Sequence, residues 1–140
     1  MIQITDQKIK EYILNLMPER DEILREMENY ALENRFPIIG PMCGTFLRQI
    51  ARIMNARSVF EMGSGYGYSA CWFAGGMSKD GKIICTEGSV ENKKRAMEYL
   101  RRGGYDSMVE FHVGRAQDFL KQYDGPFDII FNDVDKEHYP

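Results

Sequence analysis

The chain has no basic surplus, no paired-cysteine motif and no long apolar run, and each absence removes a class of function. Lys and Arg number 18 against 21 Asp and Glu over 140 residues, a formal net charge of −3. The electrostatic footprint of a nucleic-acid binder is therefore missing. The local cluster Lys93, Lys94, Arg95, Arg101 and Arg102 reads as a solvated helix face. Cys43, Cys71 and Cys85 lie far apart inside apolar segments, an odd count without CxxC. That argues against a disulfide framework or a zinc site and for reduced core residues in a reducing compartment. No stretch approaches the roughly 18 apolar residues of a membrane-spanning helix. The opening MIQITDQKIK lacks the apolar core of a signal peptide, so the expected location is the cytoplasm. What remains, 44% apolar and 28% charged residues, describes one soluble α/β-sized domain.

Helices come first along the chain. Ile9, Tyr12, Ile13 and Leu16 recur at helical spacing behind Asp6, and Pro18 ends the run. A second helix is expected over residues 19–34, with Ile23, Leu24, Met27 and Ala31 on one face. The segment FPIIGP (36–41) reads as a stiff connector, because Pro37 and Pro41 disfavour helical geometry before them. A third helix is expected from Gly44. From Arg57 onward, short apolar runs alternate with helix-length segments, the pattern of a parallel sheet built by crossover helices. Strands are expected at 58–62, 82–87, 108–113 and 127–132, with helices starting near Tyr68, Ser89 and Ala116. This gives one domain, with N-terminal helices over 1–36 and an α/β core over 37–140.

Ligands of such sheets sit outside the carboxyl ends of the strands. Those ends carry Glu61-Met-Gly63-Ser-Gly65-Tyr-Gly67, Thr86-Glu87-Gly88, Gly114-Arg-Ala116-Gln117-Asp118 and Asn132-Asp133-Val-Asp135-Lys136. Any one alone reads as turn chemistry, but four at one edge read as a site. The first loop is GxGxG followed by Tyr68-Ser69, not the GxGxxG of dinucleotide binders. Glu61 precedes it, and a carboxylate there would repel a diphosphate while suiting a cationic ligand end. Glu87 ends the second strand, where an acid can accept both ribose hydroxyls. A nucleoside with a positive tail fits both acids better than NAD.

In FPIIGPMCG, FEMGSGYGYSA, ICTEG, GRAQDFL and PFDIIFNDVDKEHYP, taken in order, the chain resembles the cation-dependent class I O-methyltransferases, the catechol and caffeoyl-CoA type with its bacterial relatives. The likeness covers about three quarters of the chain, residues 37–140. It implies a Rossmann-like fold, a parallel sheet flanked by helices, and S-adenosylmethionine (SAM) as cofactor. Glu61 and the amides of Gly63, Ser64 and Gly65 would line the methionine end, with Ser69 on its carboxylate and Cys43 beside it. Glu87 would hold the ribose, Gly88 would border the adenine, and Ala116 with Gln117 would close over the purine edge. Asp133 matches a metal-ligand carboxylate for Mg, Mn or Ca, and Lys136 the lysine that accepts the substrate hydroxyl proton. Asp135 and His138 receive no role.

The implied reaction is in-line methyl transfer to a hydroxyl of a small, catechol-like aromatic acceptor. A hard cation on Asp133 would stabilise the deprotonated oxygen, and Lys136 would take the proton. The family completes its metal site with an adjacent Asp-Asn pair beyond the next strand, and no such pair follows here. The sheet's C-terminal strands are missing likewise, so strand 127–132 is expected to present an uncovered edge, with association and without turnover in this chain alone. The other readings are a SAM-binding fragment that does not turn over and an NAD-dependent oxidoreductase, which Glu61 and the glycine spacing oppose. The resemblance further suggests a homodimer without nucleic-acid or membrane partners. His112 alternates with Phe111 and Val113 and is expected to play a structural part on the opposite sheet face.

Overall fold

A computed structural model describes residues 6–134. Three helices lead the chain: α1 (Gln7–Leu16), α2 (Glu22–Asn34) and α3 (Gly40–Ile53). Asp6 and Asp21 cap the first two, accepting from the amides of Lys8 and Leu24 at 2.8 and 2.9 Å. Each carboxylate satisfies a donor that has no partner within its helix. α2 closes on Arg35 in the left-handed region, φ 51°. The third helix begins at Gly40, four residues earlier than its apolar spacing indicates, because Pro41 falls in the first turn, where a missing N–H costs nothing. α1 buries no residue, whereas α2 buries Leu24, Met27 and Ala31.

The remainder alternates strand and helix: β1 (Ser58–Met62), α4 (Tyr68–Ala74), β2 (Lys82–Glu87), α5 (Val90–Arg102), β3 (Val109–Val113), α6 (Ala116–Leu120) and β4 (Ile129–Asn132). The four strands form one parallel sheet in the order β3-β2-β1-β4. Propagation outward from β1 therefore reverses between β3 and β4, which puts the topological switch point between β1 and β4. Two strands are shorter than their sequence suggests. Residues Asp106–Met108 wind into a 3-10 turn before β3, and Asp128 works as a staple before β4. Its carboxylate accepts from the amides of Arg57 and Ser58 at 2.7 and 2.9 Å.

α4 is buried over all seven residues, wedged between the sheet and the N-terminal helices, which suits a helix apolar all round. Its approach to α3 depends on Gly44, where a Cβ would lie 2.2 Å from the Trp72 indole nitrogen. Val59, Phe60 and Glu61 are all fully buried, since a central parallel strand is covered on both faces. Tyr66 bolts the loop after β1 to α2: its hydroxyl donates to the Met27 carbonyl at 2.8 Å, and its ring meets Tyr30 and Phe36 edge to face.

Candidate active site

A cavity of about 960 Å³ opens at the carboxyl ends of the strands. Nine of the residues singled out from sequence line it: Gly63, Ser64, Gly65 and Ser69 from the first loop and α4, Glu87 and Gly88 from the end of β2, Ala116 and Gln117 from α6, and Asp133 after β4. Glu61 and Cys43 are not in the lining. Lys136, with Asp135 and His138, lies outside the described residues.

The glycine loop answers to backbone crowding. Gly63 has φ 85°, and a Cβ on it would lie 2.5 Å from the backbone oxygen of Asp133. Gly67, φ 86°, lets α5 approach, its Cβ position being 3.0 Å from the Ala96 methyl. The loop amides turn inward. Those of Gly63 and Ser64 donate to the Thr86 carbonyl at 3.1 and 2.9 Å, and that of Gly67 to the Ser64 carbonyl at 2.8 Å. The Gly65 amide donates to Glu87 Oε2 at 2.9 Å. These four donors are engaged within the fold and are not available to a diphosphate.

Glu87 is the hub of the cavity. Besides Gly65, it accepts from the Ser89 amide at 3.1 Å and the Asn92 side chain at 3.2 Å, both through Oε1. Three of its four lone-pair sites are thus engaged, and Oε2 keeps one for a ligand hydroxyl. Glu61 sits beneath the floor, 0% exposed. Ser69 Oγ donates to its Oε1 in a very short contact, and the Cys85 thiol to its Oε2 at 3.4 Å. Burial pushes this carboxyl above the usual range. The neighbouring Ser64 hydroxyl is buried without a hydrogen bond of normal geometry. Asp133 is exposed on one side, and partial desolvation raises its carboxyl too. The half-buried Cys43 thiol is raised by burial and by the charge of Asp133, which keeps it protonated and unreactive.

The segment expected to be a stiff connector over 36–41 ends at residue 39, where α3 begins, and it supplies a wall: Phe36, Pro37, Ile38 and Ile39 line the cavity. Tyr68 and Arg115 also face it without having been singled out. The two prolines were the available signal, since a stiffened apolar segment before a sheet edge suits a wall. His112 lies outside the cavity. Its ring stacks on Phe119 at 4.5 Å, and Nε2 lies 2.8 Å from both Glu110 Oε1 and Tyr123 Oη, tying β3 to the segment behind α6. Among the described residues, no group of three His, Cys, Asp or Glu could hold a metal ion.

A parallel sheet with its cavity at the switch point, a glycine loop and an acid closing the second strand place a ligand site where α/β folds of this kind carry one. The comparisons name the class more closely. Residues 15–140 match the family model described as O-methyltransferase. A catechol O-methyltransferase of Niastella koreensis is 33% identical over 139 residues, 95% of this chain and 63% of the relative. Caffeoyl-CoA O-methyltransferase 2 of Populus trichocarpa is 29% identical, over 92% of this chain and 56% of its own length. The O-methyltransferase of Bacillus cereus, solved in complex with SAH, superposes with a TM-score of 0.83 at 30% identity, covering 93% of this chain and 62% of that one. TomG from Streptomyces achromogenes, solved with SAM, gives 0.84 at 31% identity over 92% and 60%. This chain belongs to the O-methyltransferase family, and it spans about 60% of the length of these relatives.

Proposed function

We propose that the protein is a SAM-dependent O-methyltransferase acting on a hydroxyl of a small, catechol-like aromatic acceptor. The observation that carries the reading is Glu87, held at the end of β2 by Gly65, Ser89 and Asn92, with the cavity in front of it. A carboxylate so fixed presents a preorganised acceptor, Oε2, to a ribose hydroxyl, and a second hydroxyl would take the place of the Asn92 side chain on Oε1. Ser64, which lines the cavity at the tip of the glycine loop, fits a ligand pressed against it. Bound there, SAM supplies an electrophilic methyl group on a sulfonium.

The chain's own residues then have distinct tasks. Ser69, on the first turn of α4, would contact the ligand's carboxylate, and Gly88, Ala116 and Gln117 would enclose the purine. Phe36, Ile38 and Ile39 exclude water from one side. The amides of Gly63, Ser64 and Gly65 hold the loop's shape rather than the ligand, since each already has an acceptor. That same engagement counts against a dinucleotide and hence against an NAD-dependent oxidoreductase. Lys136 is read as the base for the acceptor hydroxyl, and Asp133 as one oxygen ligand of a divalent cation, Mg, Mn or Ca. Asp133 alone would hold such an ion weakly, and the described residues offer no complete cluster.

A cytoplasmic homodimer fits the three free cysteines and the exposed apolar residues of α1 and α3, Tyr12, Leu16, Phe46 and Ile53 among them. No helix among the described residues is long and apolar enough to cross a membrane. The deciding experiment is isothermal titration with SAH, followed by methyl-transfer assays on catechol with and without magnesium. SAH binding that weakens in Glu87→Ala supports the reading, whereas tight NADH binding with no response to SAH overturns it. Binding without turnover would leave the SAM-binding fragment as the correct description.

A further inference from the structure

The group that the proposed chemistry leaves unexplained is Glu61, an acid fully buried in the middle of a strand covered on both faces. Its side chain accepts from a hydroxyl and a thiol, Ser69 Oγ and Cys85 Sγ. No ion pair among the described residues includes it. The titratable or charged groups that face it are Cys85 from β2, Cys71 from α4 and Asp133 beyond β4. Both thiols remain protonated, Cys71 being pushed up to about 12 and Cys85 well above its usual value by burial. Among the described residues, the nearby charge, Asp133, is thus of the same sign as a Glu61 carboxylate. Water does not reach it, and a hydroxyl and a thiol do not replace a counter-ion.

Ser64 and Ser69 both line the cavity and both lie against this carboxyl. A single layer of hydroxyls therefore separates Glu61 from whatever sits in front of the glycine loop. Resting on the SAM reading of that cavity, we infer that Glu61 is a proton-linked counter-charge: neutral in the free protein, it releases its proton to solvent when the cationic amino end of the cofactor arrives. The O–H bond of the carboxylic acid breaks, the proton goes to buffer, and the carboxylate left behind faces the incoming cation across the serines. Burial makes that pairing effective, because charges interact more strongly where water is excluded.

The sign follows by linkage. The acid's pKa is higher in the free protein than in the complex, so cofactor affinity rises with pH between those two values, by up to about tenfold per pH unit. It is flat outside that window.

The test is calorimetric titration of SAH into the purified full chain, with chelator present, from pH 5 to 8 in buffer pairs of different ionisation enthalpy. The expected result is up to about one proton released per SAH, with affinity rising along the same interval. Glu61→Gln is expected to bind with no proton release and a flat pH profile, and Asp133→Asn to retain the release. SAH binding with no proton release at any pH overturns the inference, as does release that persists in Glu61→Gln. Should that variant not fold, the slope and proton count of the unmodified chain still decide. Absence of SAH binding at every pH would overturn the cofactor reading itself, a different outcome from binding without a proton.

Discussion

Gly63 and Gly88 both border the cavity, yet only one is required by the backbone. At Gly63 the left-handed φ of 85° and the Asp133 carbonyl, 2.5 Å from a would-be Cβ, exclude any side chain, and a main-chain atom cannot swing aside. Gly88 has no positive φ and nothing within 4 Å of its Cβ position. Gly63→Ala is therefore expected to lower unfolding stability by about 1–3 kcal/mol in urea denaturation. Gly88→Ala should stay within about 0.5 kcal/mol. Glu87 combines two tasks, holding the Gly65 amide and presenting acceptors to the ligand. Glu87→Ala is expected to weaken SAH binding by about 1–3 kcal/mol through lost hydrogen bonds, measured by titration calorimetry. For Asp133 and Lys136 the readout is turnover. Asp133→Ala should abolish magnesium-stimulated methyl transfer, whereas Lys136→Ala should slow it and shift its pH profile with little change in cofactor affinity. Turnover indifferent to chelator and to both substitutions would remove the metal-assisted reading.

At the scale of elements, the junction of β1 and β4 depends on Asp128, whose carboxylate is held below the usual range by the Arg57 and Ser58 amides and the Ser58 hydroxyl. A depressed folded-state pKa contributes stability above the unfolded value, and that contribution fades as pH falls from the unfolded value, about 3.9, through the lower folded one. Asp128→Ala should accordingly lower the urea midpoint at pH 7, with the difference from the unmodified chain shrinking below about pH 4. A constant difference down to pH 2 would show that the staple acts through something other than its charge. The same junction explains why β4 starts at Ile129 rather than Phe127. Asp128 turns its side chain onto the neighbouring strand's amides, an arrangement no propensity at 127 or 128 discloses.

On the scale of the whole molecule, the sheet ends at β4, which among the described residues pairs with β1 alone. Phe131 packs inward on Phe73, while Ile130 is 55% exposed. An apolar strand with an unpaired side is a template for another chain. Purified at micromolar concentration, the 140-residue chain is expected to associate in size exclusion with light scattering, and Ile130→Lys to shift it toward monomer. A monodisperse monomer of the unmodified chain would show that this edge is covered by other means.

Periodicity and turn chemistry were sufficient for the element order, because alternating apolar runs and caps such as Asp6 and Ser89 act over a few neighbouring residues. The strand-end rule likewise located nine cavity residues, since parallel strands must deliver their carboxyl ends to one edge. Long-range contacts decided the rest. Whether the loop amides face a ligand or the protein depends on the Thr86 carbonyl and on Glu87, more than 20 residues away. Whether Glu61 lines the cavity or lies under it depends on Ser69, Cys85 and a sheet covered on both faces. The sequence determined which residues arrive at the site; only packing against distant neighbours determined which atoms they leave open to it.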